Sequence, residues 1–298
     1  ALEQYRYLCR QIDCDFEDKD HFVYTRGNRA LLDKEMEALA AIGADAELCH
    51  TLPLPFSTDG GVKFPRQAQF HPLKFLGEIA KDLPVYEHTF VEEMQGNTAV
   101  TEHGKIHAKA VIVATHFPFI NKHGSYFLKL YQHRSYVIAY ENTPPLDGMY
   151  VDHDQKGFSF RNWGDMLLLG GGGHRTGKQG GTWDEIRRFA SQYYLGAQAV
   201  CHWATQDCMS LDSVPYIGQY SARTGKLFTA TGFNKWGMTG AMTAAQVLCD
   251  LVQGKENDFA DLFSPSRSIT RTGAKPEQRF WLESGQWTTV TPASRMAA

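Results

Sequence analysis

From Val85 to Gly173 the chain alternates short runs rich in β-branched and aromatic residues with turn residues, and this restricts the fold more than any other feature. VYEHTFVEEM, NTAVTEH, GKIHAKAVIVAT and YQHRSYVIAYEN lead the series; GMYVDHD, GFSFRNWGD and MLLLGGG continue it. Runs of this length and spacing predict strands, and their short connections predict an antiparallel meander. Helical patterns flank the block. ALEQYRYLCRQI and NRALLDKEMEALAAIGA precede it, the second with Leu31, Leu32, Met36, Leu39 and Ala40 at helical spacing and Gly43 as a stop. HPLKFLGEIAKDL predicts a helix entered through Pro72. TWDEIRRFASQYYLG predicts one with Thr182 as N-cap and Glu185 three residues on, a capping box. AVCHWATQDCMS and KLFTATGF return to the strand pattern, and GMTGAMTAAQVLCDLVQG is the clearest helix of all.

This order predicts an α+β fold in which two distant segments share a sheet. The expected division is a helical segment and connector over residues 1–75, with the turn-rich TLPLPFSTDGGVKFPRQ from Thr51 to Gln67. One discontinuous domain is expected from 76–118 and 205–264, an antiparallel β domain over 119–204, and an irregular, loosely packed tail over 265–298.

Bulk properties narrow the function. With 298 residues and 43% hydrophobic content, the chain can bury a substantial core. A net charge of -3 without long single-sign runs argues against nucleic-acid partners and polybasic membrane attachment. No apolar run approaches the roughly 18 residues of a membrane span. Cysteines 9, 14, 49, 201, 208 and 249 form no CxxC, so no metal site is expected, and isolated thiols suit a soluble cytoplasmic protein.

LLLGGGGHRTGKQGG, Leu167 to Gly181, has most of the spacing of a phosphate-binding loop. Such a loop needs Ser or Thr after the lysine and a helix starting there. Gln179 follows Lys178, and Gly180 and Gly181 prevent a helix at that point. The glycines instead predict a flexible turn after a strand, the alternative being a close approach of backbone or a flat ligand that turns His174 and Arg175 into a site.

Leu227 to Gly254 is more informative: a strand meets a loop with Gly232 and Gly237, and a long helix begins near Met238. Free N–H groups at that helix start suit an anionic or electron-rich ligand edge. DCMSLDSVPYIGQYS followed by LFTATGFNKWGMTGAM resembles the C-terminal part of FAD-dependent oxidoreductases of the D-amino-acid oxidase and glycine oxidase type. KIHAKAVIVATHFPF is similar to that family's mid-chain segment. QAQFHPLKFL and YQHRSYVIAY fit the branch that often carries an appended Rieske domain. The resemblance covers about residues 10 to 265.

It implies a Rossmann-like FAD domain, here incomplete, beside an antiparallel-sheet substrate domain, and oxidation of a C–N bond in an amine or amino-acid-like substrate by hydride transfer to flavin. It also implies that Gly232, Phe233, Asn234, Lys235, Trp236, Gly237, Met238 and Thr239 line the isoalloxazine. Ala114 and Thr115 would approach from the other side, and the main chain of Val91 would meet the adenine. Arg134, Arg161 and Arg175 are candidates for a substrate carboxylate, with His174 beside them, because a guanidinium pairs with it bidentately. Gln206 stands where amine-oxidising relatives tend to have Arg. No general base is assigned.

The sequence departs from the family pattern twice. It contains no GxGxxG, the turn whose helix binds the FAD pyrophosphate, and residues 266–298 hold neither Cys nor His for a Rieske cluster. The expectation is therefore a truncated or internal piece that binds FAD weakly or not at all, the alternative being a catalytically inactive module on the same scaffold.

Overall fold

The computed structural model describes residues 1–120, 123–154 and 156–268. From the amino end come α1 (Leu2–Cys9), β1 (Glu17–Asp18), β2 (His21–Tyr24), α2 (Arg29–Ala41), β3 (Glu47–Cys49), β4 (Gly61–Phe64), β5 (Ala68–Gln69) and α3 (Pro72–Ala80). Next are β6 (Val91–Gln95), β7 (Thr98–Thr101), β8 (Gly104–His107), β9 (Val111–Val113), β10 (Leu130–Glu141), β11 (Met149–Asp152), β12 (Ser159–Trp163) and β13 (Met166–Arg175). The chain continues with α4 (Trp183–Tyr193), β14 (Gln198–Ser210), β15 (Tyr216–Gln219), β16 (Leu227–Thr231), α5 (Gly237–Val252) and α6 (Ala260–Phe263). The mixed α/β organisation agrees with the fold class read from the sequence.

Two compact units emerge. The first combines residues 1–16, 70–132 and 207–268; the second combines 17–69 with 133–206. The boundaries expected at 75, 118 and 204 are thus displaced. The physical reason is that the segment read as helix plus connector supplies three strands, β2, β3 and β4, to the large sheet. β2 is only four residues long and pairs in parallel with β11, more than a hundred residues away, so no local signal announces it. Likewise VYEHTFVEEM enters its strand only at Val91.

The second unit is built on an eight-stranded sheet in the order β14-β10-β13-β12-β11-β2-β4-β3. Side chains alternate across it. Tyr136, Ile138, Tyr140, Tyr150, Phe160, Leu167 and Leu169 form one face, packed by Ile186, Phe189 and Ala190 of α4. α4 is capped by Thr182, whose hydroxyl accepts from the Asp184 N–H at 3.2 Å; the capping-box pairing with Glu185 is replaced by this bond one residue earlier. α2 lays Leu32 and Leu39 over Val62 near the other end of the sheet.

The four glycines lie inside β13, which runs on to Arg175, rather than ending it. A side chain at Gly171 would run into Phe158, 2.6 Å away. Gly172 has φ +64 and sits at a bulge, where the β10–β13 register shifts between Arg134 and Tyr136.

The first unit contains the three-stranded sheet β15-β16-β9 with α5 against it, the meander β6-β7-β8, and α1 with α3. α3 begins with Pro72 at its first turn, and the His71 ring accepts from the Lys74 N–H at 3.3 Å. The expected loose tail is tied down through Arg267. Its guanidinium makes two bonds to the Asp212 carboxylate, at 2.8 and 2.9 Å, donates to the carbonyls of Val214 and Pro215, and lies 3.8 Å over the Tyr216 ring. Residues 269–298, the rest of that tail, lie outside the described residues. No described helix is long and apolar enough to cross a membrane.

Because Arg267 and Asp212 are both buried, removing one leaves the other charge uncompensated. Arg267→Ala is expected to lower unfolding free energy by about 3–5 kcal/mol in urea titrations. His21 gives a second test. Its Nε2 is enclosed without a hydrogen-bond partner, and burial pushes the imidazole from 6.5 down to about 4. Between those values the unfolded chain binds a proton that the folded chain refuses, so stability falls as pH drops through that window. His21→Phe should flatten this acid-side slope in melting curves recorded from pH 7 to pH 4.

Candidate functional site

Chemistry-bearing residues gather in two places, one in each unit. In the first unit β9 and β16 run parallel, with Thr229 opposite Val113, so both strands release the chain at the same carboxyl edge. Ligand sites in sheets of this kind collect at that edge. Ala114 and Thr115 leave β9 there, exposed, and Gly232 leaves β16. Two hydroxyls hold the strand ends together. Thr229 Oγ1 donates to the Val113 carbonyl at 2.9 Å, and Thr231 Oγ1 donates to the His116 carbonyl at 2.5 Å.

The loop from Gly232 to Trp236 is fixed by the buried Asn234. Its φ of 55 lies in the left-handed region, which a short polar side chain tolerates. The Ser210 N–H donates to its Oδ1 at 3.0 Å, its Nδ2 donates to the Gly232 carbonyl at 3.1 Å, and its own N–H donates to the Cys208 carbonyl at 3.0 Å. Phe233 bridges Met209. Lys235 Nζ lies 3.6 Å from Asp207 Oδ2, yet burial pushes the lysine down and the aspartate up. Loss of water therefore outweighs their mutual attraction.

α5 starts at Gly237 with no side-chain cap. A Cβ at Gly237 would meet nothing within 4 Å, and Trp236 and Met238 are exposed beside it. Tyr5 steadies this turn by donating to the Met238 carbonyl at 2.8 Å. First-turn N–H groups lack helical acceptors and sit at the positive end of the dipole. An open, uncapped helix start with Thr239 in its first turn fits the electron-rich edge of a flavin. Val91 opens β6, half-buried opposite Thr101, in the separate meander.

The second place is a cavity of about 330 Å³ on the face of the large sheet opposite α4. Arg161, Ser159, Met149, Val151, Leu168, Gly170, Val137, His21 and Trp203 are among its lining residues. Arg161 is the only one of the three candidate arginines there. Burial lowers its pKa, and among the described residues no carboxylate pairs with it. Nη1 donates to Gln69 Oε1 at 3.3 Å. Gln69 is itself held by bonds from its Nε2 to the Glu17 carboxylate, 2.8 Å, and the Asn162 carbonyl, 3.0 Å. The half-buried guanidinium is thus held by an amide, with no carboxylate partner among the described residues.

The other candidates cluster at the end of β10, β13 and β14. Arg134 Nη2 donates to Gln206 Oε1 and Thr176 Oγ1 donates to the same oxygen, both at 3.5 Å. His174 Nδ1 lies 3.1 Å from the Gly172 carbonyl, its ring stacked on Tyr136, and Arg175 is exposed. Sequence reasoning missed His21, Gln69 and Trp203. The two-residue alternation through GFSFR, which puts Ser159 and Arg161 on one face, was the signal available for this surface. No cluster of His, Cys, Asp or Glu able to hold a metal occurs among the described residues.

The family model for FAD dependent oxidoreductases matches residues 1–251. A protein of Bacillus subtilis (strain 168) that carries the name Rieske 2Fe-2S iron-sulfur protein YhfW is 33% identical over 278 residues, covering 86% of this chain and 54% of the relative. The chain thus spans about half the length of that relative. Among solved structures, glycine oxidase from Geobacillus kaustophilus superposes with a TM-score of 0.72 at 19% identity, covering 90% of this chain and 80% of the other. L-proline dehydrogenase from P. horikoshii does so with 0.72 at 16%, covering 96% and 82%. The family model, matching most of the chain, shows that it belongs to the FAD dependent oxidoreductase family.

Proposed function

We propose that these residues serve the flavin-dependent oxidation of a C–N bond in a carboxylate-bearing amine. The observation that carries this reading is Arg161, half-buried and without a counter-ion among the described residues, in a cavity on the antiparallel sheet. The two structural neighbours are named for glycine and L-proline, which supports an amino-acid-like substrate. Six free cysteines support a reducing, cytoplasmic setting.

A bound FAD supplies the acceptor for the hydride. The protein's part is binding and orientation. Arg161 holds the carboxylate in a bidentate pair, and the Gln69 amide keeps the guanidinium plane fixed while it does so. Met149, Val151 and Leu168 keep water from the substrate's carbon skeleton. At the other place, the N–H groups of the first turn of α5 would hold the electron-rich edge of the flavin, and Asn234 holds the loop that leads into them.

The sequence contains no GxGxxG, so the pyrophosphate lacks the helix start that holds it most firmly in this family, and we propose weak binding of FAD. Titrating FAD into the purified chain should give a shifted flavin absorbance band with micromolar or weaker affinity. Gly237→Leu, which fills the open space beside the helix start without a clash, should weaken binding about tenfold, roughly 1.4 kcal/mol. Unchanged affinity would remove the α5 start from the cofactor site. Arg161→Gln should weaken binding of a carboxylate-bearing amine by about a hundredfold in calorimetry, in line with loss of a charge-assisted pair worth roughly 2–3 kcal/mol.

A further inference from the structure

We infer that the substrate of this cavity carries an aromatic ring, which lies along Leu168 and Val137 and reaches Trp203 while its carboxylate stays on Arg161; the inference rests on the Arg161 reading above. The register sets out the surface. On β12, Arg161 lies opposite Leu168 of β13, and Ser159 lies opposite Gly170. Gly170 in turn lies opposite Val137 of β10, and β14, which carries Trp203, is the next strand. From Arg161 toward Trp203 the lining therefore passes over Leu168, Gly170 and Val137, with the Ser159 hydroxyl beside Gly170 as its polar group and no charged side chain on the way.

The dimensions exclude a small occupant. Neighbouring strands lie about 4.8 Å apart, so the step from β12 to β14 is about 14 Å. Glycine bound by its carboxylate would fill only the Arg161 end of a cavity of about 330 Å³. The floor is apolar on either side of its centre. A Cβ at Gly170 would come 2.4 Å from Ser159 Oγ, so the glycine makes room for that hydroxyl, and Leu168 and Val137 flank it with hydrocarbon. Trp203, 38% exposed, supplies an indole to meet the substrate's ring edge to face.

The test uses the full chain and two carboxylates that cannot be oxidised at a C–N bond, acetate and 3-phenylpropionate, titrated by calorimetry. 3-Phenylpropionate should bind at least tenfold more tightly than acetate. Trp203→Ala should reduce that ratio at least threefold and leave acetate unchanged. Val137→Asn, which sets an amide into the floor, should do the same and stands in if the tryptophan variant fails to fold, as judged by circular dichroism. Equal affinities, or a ratio indifferent to both variants, overturn the inference; if Arg161→Gln still weakens both ligands, the carboxylate assignment survives. If neither ligand binds, or Arg161→Gln changes nothing, the Arg161 assignment fails and the aromatic inference falls with it.

Discussion

The second unit depends on the pairing of β12 with β13, because that register decides which residues reach the α4 core and which reach the cavity. Phe160 sits opposite Leu169 and Asn162 opposite Leu167, so the two leucines and the phenylalanine turn toward α4. Arg161, Leu168 and Gly170 then turn the other way. A slip of one residue in β13 would turn Leu167 and Leu169 out of the core and put Leu168 and Gly170 in their place. The cost of exposing two leucines that are now fully buried holds the register, and the cavity inherits its geometry from it.

A comparable dependence governs the first unit. β9 and β16 are short, and a three-strand sheet gives little cooperativity. The hydroxyls of Thr229 and Thr231 add side-chain bonds to the carbonyls where β9 ends, and Asn234 satisfies a buried amide and a carbonyl at the next turn. These groups are polar and buried, so each must be bonded, and together they leave the loop into α5 a single arrangement. The start of α5 adjoins this anchored loop, whose polar groups bond to one another and leave the helix without a side-chain cap.

Much of this could be read in the sequence wherever the determining interaction was local. α2, α3, α4 and α5 follow from apolar periodicity with Pro72, Thr182 and Gly43 as markers. The FNKWGM loop was recognisable because its glycines and the following helix are adjacent in sequence. β2 and β4 were not legible: HFVY and GVKF are four residues each, and their identity as strands comes from partners far along the chain. The glycine run misled in the same way. Gly170 and Gly171 are explained by Ser159 and Phe158 on and beyond the neighbouring strand, contacts that no spacing within LLLGGGG discloses. Arg161 was one of three equal candidates until the sheet placed it among apolar walls.

That placement also explains why Arg161 is held by an amide rather than by a carboxylate. A carboxylate paired with it directly would neutralise the guanidinium and occupy its paired donors, which an anionic ligand would then have to displace. Gln69 takes one N–H instead, and passes its own donors to Glu17 and the Asn162 carbonyl. The negative charge of Glu17 thus stays one residue removed, steadied by Lys19 and Gln69, which hold its pKa down. The guanidinium remains charged and oriented at the cost of desolvation that lowers its own pKa. On the proposed reading, part of that desolvation would be offset on arrival of an anion, which accounts for a half-buried arginine on a largely apolar sheet face.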